Sequence, residues 1–247
     1  MSTTRTRPEH EETIIAHDDG ELARLGAELL ARALLEAVNA RGCARIALSG
    51  GGTPGPTYAQ LATYDLPWDV IDWFWVDERA VPPEHDRSNY GAARRALAAA
   101  PIPEARFHRM EAEDRDLPAA AARYDALLRG QFGIASAIAF DAMTLGIGDD
   151  GHTASLFPNM GTVAIADRLV AGIPADRTPG EGPRMTLTTP VIHHARFALM
   201  IVKGPAKRDP LKAARSPGSE DEVPSRIAQG IQGRLCWLLD RAAAGEG

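Results

Sequence analysis

Cysteine is scarce in this chain: its 247 residues hold two, Cys43 and Cys236, far apart and outside any C-x-x-C or Cys/His cluster. That excludes a disulfide framework and gives no ground for a zinc site, so both read as packing residues. Long apolar runs are missing too. No stretch reaches the roughly 18 residues that a membrane span needs, and residues 1–10 are polar and charged. Neither a spanning helix nor a secretory leader is expected, and the expected setting is the cytoplasm. Positive charge is in deficit, with 27 Lys and Arg against 33 Asp and Glu. The net charge of −6 argues against nucleic acid as a partner, because phosphate-backbone binding draws on a surplus of cations on one face. A small anion is not excluded, since a few cations and backbone N–H groups can gather locally. No G-x-S-x-G elbow supports a serine hydrolase. No H-E-x-x-H occurs, and His193 and His194, read as strand neighbours, would point to opposite faces and not share a metal. No metal and no cofactor are expected.

What is present is ordinary for a globular protein, 45% hydrophobic and 24% charged. There is no internal repeat, and the only biased tracts are the alanine-rich residues 96–100 and 119–122, which read as helical. Residues 21–39 carry Leu22, Leu25, Leu29, Ala33 and Leu34 at helical spacing. Short buried-strand patterns fall at residues 13–16, 45–48, 70–76, 139–146, 184–188, 197–202 and 235–239. This alternation predicts an α/β fold around a mainly parallel sheet flanked by helices. Residues 172–183 and 216–224 are rich in Pro, Gly and charge and read as surface loops, because strand patterns resume after each. A single domain over residues 11–244, behind a flexible tail of residues 1–10, follows.

In an open parallel sheet, ligands bind beyond the carboxyl ends of the strands. Four strand boundaries carry chemistry. At Ser49-Gly50-Gly51-Gly52-Thr53-Pro54, Thr53 suits an N-cap and Pro54 a first helical position, so N–H groups near Gly51, Gly52 and Thr53 could converge on a phosphate. Gly50, Gly52 and Gly55 also spell the dinucleotide fingerprint. Pro54 and Pro56 remove donors from that turn, however, and only Asp72 or Asp77 could serve as the acidic residue about 20 positions on. At Val76-Asp77-Glu78-Arg79, followed by Ser88-Asn89, an apolar strand delivers charges at its tip. Asp77 and Arg79 share side-chain parity, which makes Arg79 a cation for a substrate oxygen if they face the cleft. At Gly146-Ile147-Gly148-Asp149-Asp150-Gly151-His152, glycines allow a sharp turn, and His152 would lie near the start of a short helix. The positive helix end and nearby arginines would then keep its ring neutral and able to accept a proton. Arg184 and Lys207 are cations at the remaining boundaries. Arg184 opens its strand, so it could serve a carboxyl-end cleft only from an antiparallel or displaced strand.

Taken in order, S-G-G-G-T-P, W-V-D-E-R, D-G-H-T-A-S-L-F-P, R-M-T-L-T, G-x-x-K and the closing W-L-L-D-R-A-A-A resemble the 6-phosphogluconolactonase family over about residues 45–244. The resemblance implies a modified Rossmann-type sheet shared with the glucosamine-6-phosphate deaminases. Those carry D-G-H-I-A-F-N-E-P at the histidine loop and an aromatic in place of Arg79, so Thr153, Ser155, Leu156, Phe157 and Arg79 side with the lactonases. It further implies His152 as base, in a catalytic group with Asp150 and with Arg79 near the lactone. Gly51, Gly52, Thr53, Asp77, Asn89, Arg184 and Lys207 are implied around the rest of a phosphosugar lactone. Pro210 departs from the pattern and should shorten or kink the helix after Lys207. A glucosamine-6-phosphate deaminase or isomerase, and a sugar-phosphate-binding module without turnover, are the alternatives. Either a monomer or a small homo-oligomer fits.

Overall fold

The computed structural model describes residues 11–133, 138–178, 180 and 182–246; the tail expected at residues 1–10 lies outside them. Strand β1 (Glu11–Ala16) leads into helix α1 (Asp19–Arg41), longer at both ends than its apolar spacing predicts. Asp18 caps α1 by accepting from the Glu21 N–H at 2.8 Å, and Gly42 ends it at φ 74°. Then come β2 (Ala44–Leu48), α2 (Gly55–Leu61), β3 (Ile71–Trp75), β4 (Asp77–Arg79), α3 (Asn89–Ala96), α4 (Leu117–Phe132) and β5 (Ala142–Leu145). The second half holds β6 (Val170–Ile173), β7 (Arg184–Leu187), α5 (Thr189–His193), β8 (Phe197–Val202), α6 (Arg208–Ala214), β9 (Arg234–Asp240) and α7 (Arg241–Ala244).

Six strands form one sheet in the order β1-β9-β8-β5-β2-β3, and every pairing in it is parallel. Alternate residues face two cores, as a sheet covered on both sides requires. Ile46, Leu48, Trp73, Trp75, Leu199 and Leu238 pack under α1 and α2. Ala47, Phe74, Met143, Met200 and Trp237 face the opposite layer. Cys236 is buried in the first core, where loss of hydration pushes its thiol up to about 12, and Cys43 is also a free thiol.

A second, three-stranded sheet, β4-β7-β6, is antiparallel throughout and was not legible in the strand pattern. It corrects two expectations and supplies the geometry that a third reading required. The run at residues 70–76 stops at Trp75, and Val76 is a joint: its N–H donates to Leu48 O, while its carbonyl accepts from Leu187 N. The stretch at residues 172–183 is not all loop, because Gly172 and Ile173 complete β6. Arg184 opens an antiparallel strand, the geometry its use in the cleft requires. Two local expectations also fail. Residues 97–100 leave the helix that ends at Ala96, and His193 and His194 lie at a helix end rather than on a strand. Pro210 sits in the first turn of the seven-residue α6, where no i−4 hydrogen bond is lost.

At the outer end of β3, Asp72 is buried between His108 Nε2 at 3.0 Å and Arg106 at 3.3 Å. Burial works to raise its carboxyl, but the bonds and charges of His108 and Arg106 outweigh that and hold it below the usual aspartate range. A carboxylate depressed on folding adds stability that is fully present above its unfolded pKa and is lost as pH falls through the folded value. Asp72→Asn should therefore lower Tm by about 2–8 °C at neutral pH, roughly 1–2 kcal/mol. In scanning calorimetry the difference should close as the buffer is taken below the aspartate range.

Candidate active site

The chain leaves β2 toward β3 on one side and leaves β5 toward β8 on the other, so the adjacent β2 and β5 mark the point where strand order reverses. Loops there splay apart and leave a crevice. It is a cleft of about 310 Å³, lined by Gly50, Gly51, Thr53, Asp77, Arg79, Asn89, Gly148, His152, Arg184, Lys203 and Lys207 among others. That is at the small end for ligand pockets, about 300–1,000 Å³.

The glycine turn after β2 supplies backbone. Gly51 adopts φ 89°, which side chains resist, whereas Gly50 is needed for space: a Cβ there would lie 1.6 Å from Asn89 Oδ1. Among the described residues none accepts a hydrogen bond from the N–H groups of residues 50–53. Helix α2 starts at Gly55, with Pro54 rather than Thr53 in the cap position and no side-chain cap bond, so the expected Thr53 cap is not formed. Pro54 instead provides the carbonyl that takes the Tyr58 N–H, and residues 51–54 remain a turn. Beneath it the buried Tyr58 hydroxyl donates to Ser49 O at 2.9 Å and meets Thr144 Oγ1 at 2.7 Å. Gly52 is exposed and is not among the lining residues.

The strand-tip charges divide by parity as expected. Asp77 and Arg79 line the cleft, while Glu78 turns away and is 2% exposed. Its carboxylate accepts from the N–H groups of Arg79, Asn89 and Tyr90 and from Ser88 Oγ, which fixes the start of α3. Burial leaves it above the usual glutamate range despite those bonds. Asn89, at the head of α3, donates to Asp77 O at 2.9 Å and Asp77 Oδ1 at 3.1 Å. Arg79 donates to Arg87 O at 2.7 Å, and its buried Nε has no hydrogen-bond partner among the described residues.

The loop after β5 places the imidazole. Gly148 N–H donates to His152 O and Gly151 N–H to Gly148 O, closing a tight ring of backbone, with Gly151 at φ 87°. A Cβ on Gly148 would stand 2.1 Å from His152 Nδ1, so the ring lies directly on that glycine. No helix follows: residues 151–157 form a turn in which Thr153 and Leu156 pair, and Ala154 takes φ 49°. The expected helix end beside His152 is therefore absent, and a carboxylate lies against the ring instead. Asp150 Oδ1 lies 2.6 Å from His152 Nδ1. Burial works to raise Asp150, yet hydrogen bonds from the His152 ring and backbone N–H hold it below the usual range. An ionised carboxylate can only accept, so Nδ1 carries a proton toward Asp150, and in the neutral ring the lone pair is on Nε2. Phe157 packs beside the ring at 4.8 Å between centroids.

The remaining cations come from the far side. Arg184, 4% exposed, stands opposite Arg79 in the β4–β7 register, 3.8 Å from Asp77 Oδ2 and 5.7 Å above the Phe157 ring. Lys207 reaches the cleft from a 3₁₀ turn and pairs with Asp149. Lys203, which lines the same cleft and pairs with Asp19 at 2.6 Å, was missed. Its signal was available, because it is the residue immediately after β8.

Residues 17–237 match the family described as glucosamine-6-phosphate isomerases/6-phosphogluconolactonase. A 6-phosphogluconolactonase from Nostoc sp. is 40% identical over 233 residues, covering 93% of this chain and 95% of that protein. One from Synechocystis sp. is 41% identical over 214 residues, 85% of this chain and 87% of its own length. Among solved structures, a 6-phosphogluconolactonase from Trypanosoma cruzi superposes with a TM-score of 0.84 at 25% identity, covering 98% of both chains. Sequence and fold agree over nearly the whole length, and the chain belongs to the glucosamine-6-phosphate isomerase/6-phosphogluconolactonase family.

Proposed function

We propose that this protein hydrolyses 6-phospho-D-glucono-1,5-lactone to 6-phosphogluconate in the pentose phosphate pathway, in the cytosol, with His152 as general base. The observation that carries the reading is one cleft that holds an imidazole of defined tautomer together with unpaired backbone donors and several cations. Relatives named for this activity match the chain over 85% and more of its length.

A δ-lactone is an ester already exposed to attack, so one base and a charge clamp suffice. Nε2 of His152 takes a proton from the water whose oxygen bonds to C1, a role typically contributing about 10²- to 10⁴-fold. Asp150 holds the ring and offsets the charge that forms on it. The carbonyl becomes tetrahedral, and Arg79, whose buried Nε has no hydrogen-bond partner among the described residues, stabilises the oxyanion. The C1–ring oxygen bond then breaks, and the imidazolium returns its proton to the departing oxygen. The 6-phosphate is held by Gly51, Gly52 and Thr53 N–H groups with Arg184 and Lys207; Gly52 can contribute only from the rim. The Asp77 anion belongs at the hydroxyl-bearing part of the sugar with Asn89, since it would repel phosphate. Binding a remote phosphate in this way turns affinity into orientation of C1.

The direct test is acid release in a pH-stat with freshly prepared lactone; phosphosugar binding without acid release would sink the enzymatic reading, and ammonia release from a hexosamine phosphate would replace it. His152→Gln should lower kcat by about 10²-fold or more while 6-phosphogluconate still binds. Wild-type turnover in that variant would remove the ring from the mechanism. Gly148→Ala should lower kcat by about 10-fold or more with little change in Tm, because the added methyl displaces the ring rather than the core. Lys207→Ala should raise KM for the phosphorylated lactone about 10-fold and leave an unphosphorylated δ-lactone unaffected. Equal losses on both substrates would contradict a phosphate contact.

A further inference from the structure

Ser155 touches neither the cleft nor solvent, being 0% exposed and absent from the lining residues. Its hydroxyl nevertheless donates to Asp77 Oδ2 at 2.7 Å, across 78 positions of sequence. Asp77 is 5% exposed, and its other oxygen accepts from Asn89 while Arg184 stands 3.8 Å from the oxygen that Ser155 holds. Charged groups meet here in a setting where water cannot adjust their positions. Arg184 and Arg79 face each other across the β4–β7 ladder, an arrangement that like charges oppose. The Asp77 carboxylate is therefore one of the groups that bear on where the Arg184 guanidinium rests.

We infer that Ser155 is a positioning residue of the hydrolysis, which acts through Asp77 to aim Arg184 and Asn89 into the cleft. Three side chains of one short segment then serve one purpose. His152 supplies the base; Phe157 lies beside the imidazole and under the Arg184 guanidinium; Ser155 orients the anion that holds the guanidinium from its other side. The base and the clamp are registered to one another because they are anchored in the same turn, whose backbone is tied down by Ser155 N–H to Thr186 Oγ1 at 3.3 Å and Thr153 Oγ1 to Gly146 O at 2.8 Å. Without the Ser155 hydroxyl, one Asp77 oxygen loses its short bond. The carboxylate can then rotate toward Arg184 and draw it back from the substrate.

The inference rests on the lactonase reading, and the experiment separates the two. Wild type, Ser155→Ala, Asp77→Asn and the double variant are assayed for lactone hydrolysis, for 6-phosphogluconate dissociation constant by calorimetry, and for Tm. Ser155→Ala should raise both KM and the product dissociation constant by about 10-fold with kcat within about 2-fold of wild type, the size expected when a hydrogen bond to a charged group is lost. In the Asp77→Asn background, where no carboxylate charge remains to be aimed, adding Ser155→Ala should change either constant by less than about 2-fold. A Ser155→Ala protein with lowered Tm but unchanged KM and dissociation constant would show that Ser155 only supports the fold, and would overturn the inference while leaving the function intact. Effects of the two substitutions that multiply in full would overturn it as well. A wild-type protein that neither turns over the lactone nor binds the acid would instead overturn the function and the inference with it.

Discussion

Two sheets with different rules share one residue, and the site depends on how they are joined. Val76 gives its N–H to Leu48 in the parallel sheet and takes the Leu187 N–H from the antiparallel one. The next residue is Asp77, whose carboxylate enters a buried place between them. Taking a charge out of water is tolerable only where donors and an opposite charge surround it. Ser155, Asn89 and Arg184 do so here, each from a different part of the chain. The need to satisfy that one carboxylate fixes the tip of β4, the head of α3, the turn after His152 and the first residue of β7 relative to one another.

The imidazole is arranged by the same economy of short-range contacts. His152 gains no help from a helix terminus; it sits on Gly148, against Phe157, with Asp150 fixing which nitrogen carries the proton. A glycine turn lines the same cleft with N–H groups that have no acceptor among the described residues. The lysines at the rim, Lys203 and Lys207, rest on Asp19 and Asp149. An overall acidic protein thus gathers cations locally at the cleft.

The amino-acid order by itself determined the parallel α/β architecture, because apolar runs of strand length alternating with helical spacing leave few other ways to bury both faces of a sheet. It also determined which residues gather at the cleft: Gly51, Thr53, Asp77, Arg79, His152, Arg184 and Lys207 all line it, since each lies at or soon after a strand end and strand ends converge at the switch point, and Asn89 joins them from the head of α3. Even the parity of Asp77 and Arg79 survived the change of sheet. What only the tertiary structure decided depends on partners distant in sequence. The small antiparallel sheet exists because Val170–Ile173 finds Arg184–Leu187; the strand at residues 184–188 was legible in the sequence, but its partner β6 and their pairing were not. Thr53 lost its capping role to Pro54, Gly52 stayed at the surface, and Asp150 rather than a helix end lies against His152, each settled by backbone turns that local composition permits without requiring. Above all, the Ser155 hydroxyl is an unremarkable serine in the sequence; it acquires meaning only where folding brings a buried carboxylate 78 residues away within 2.7 Å.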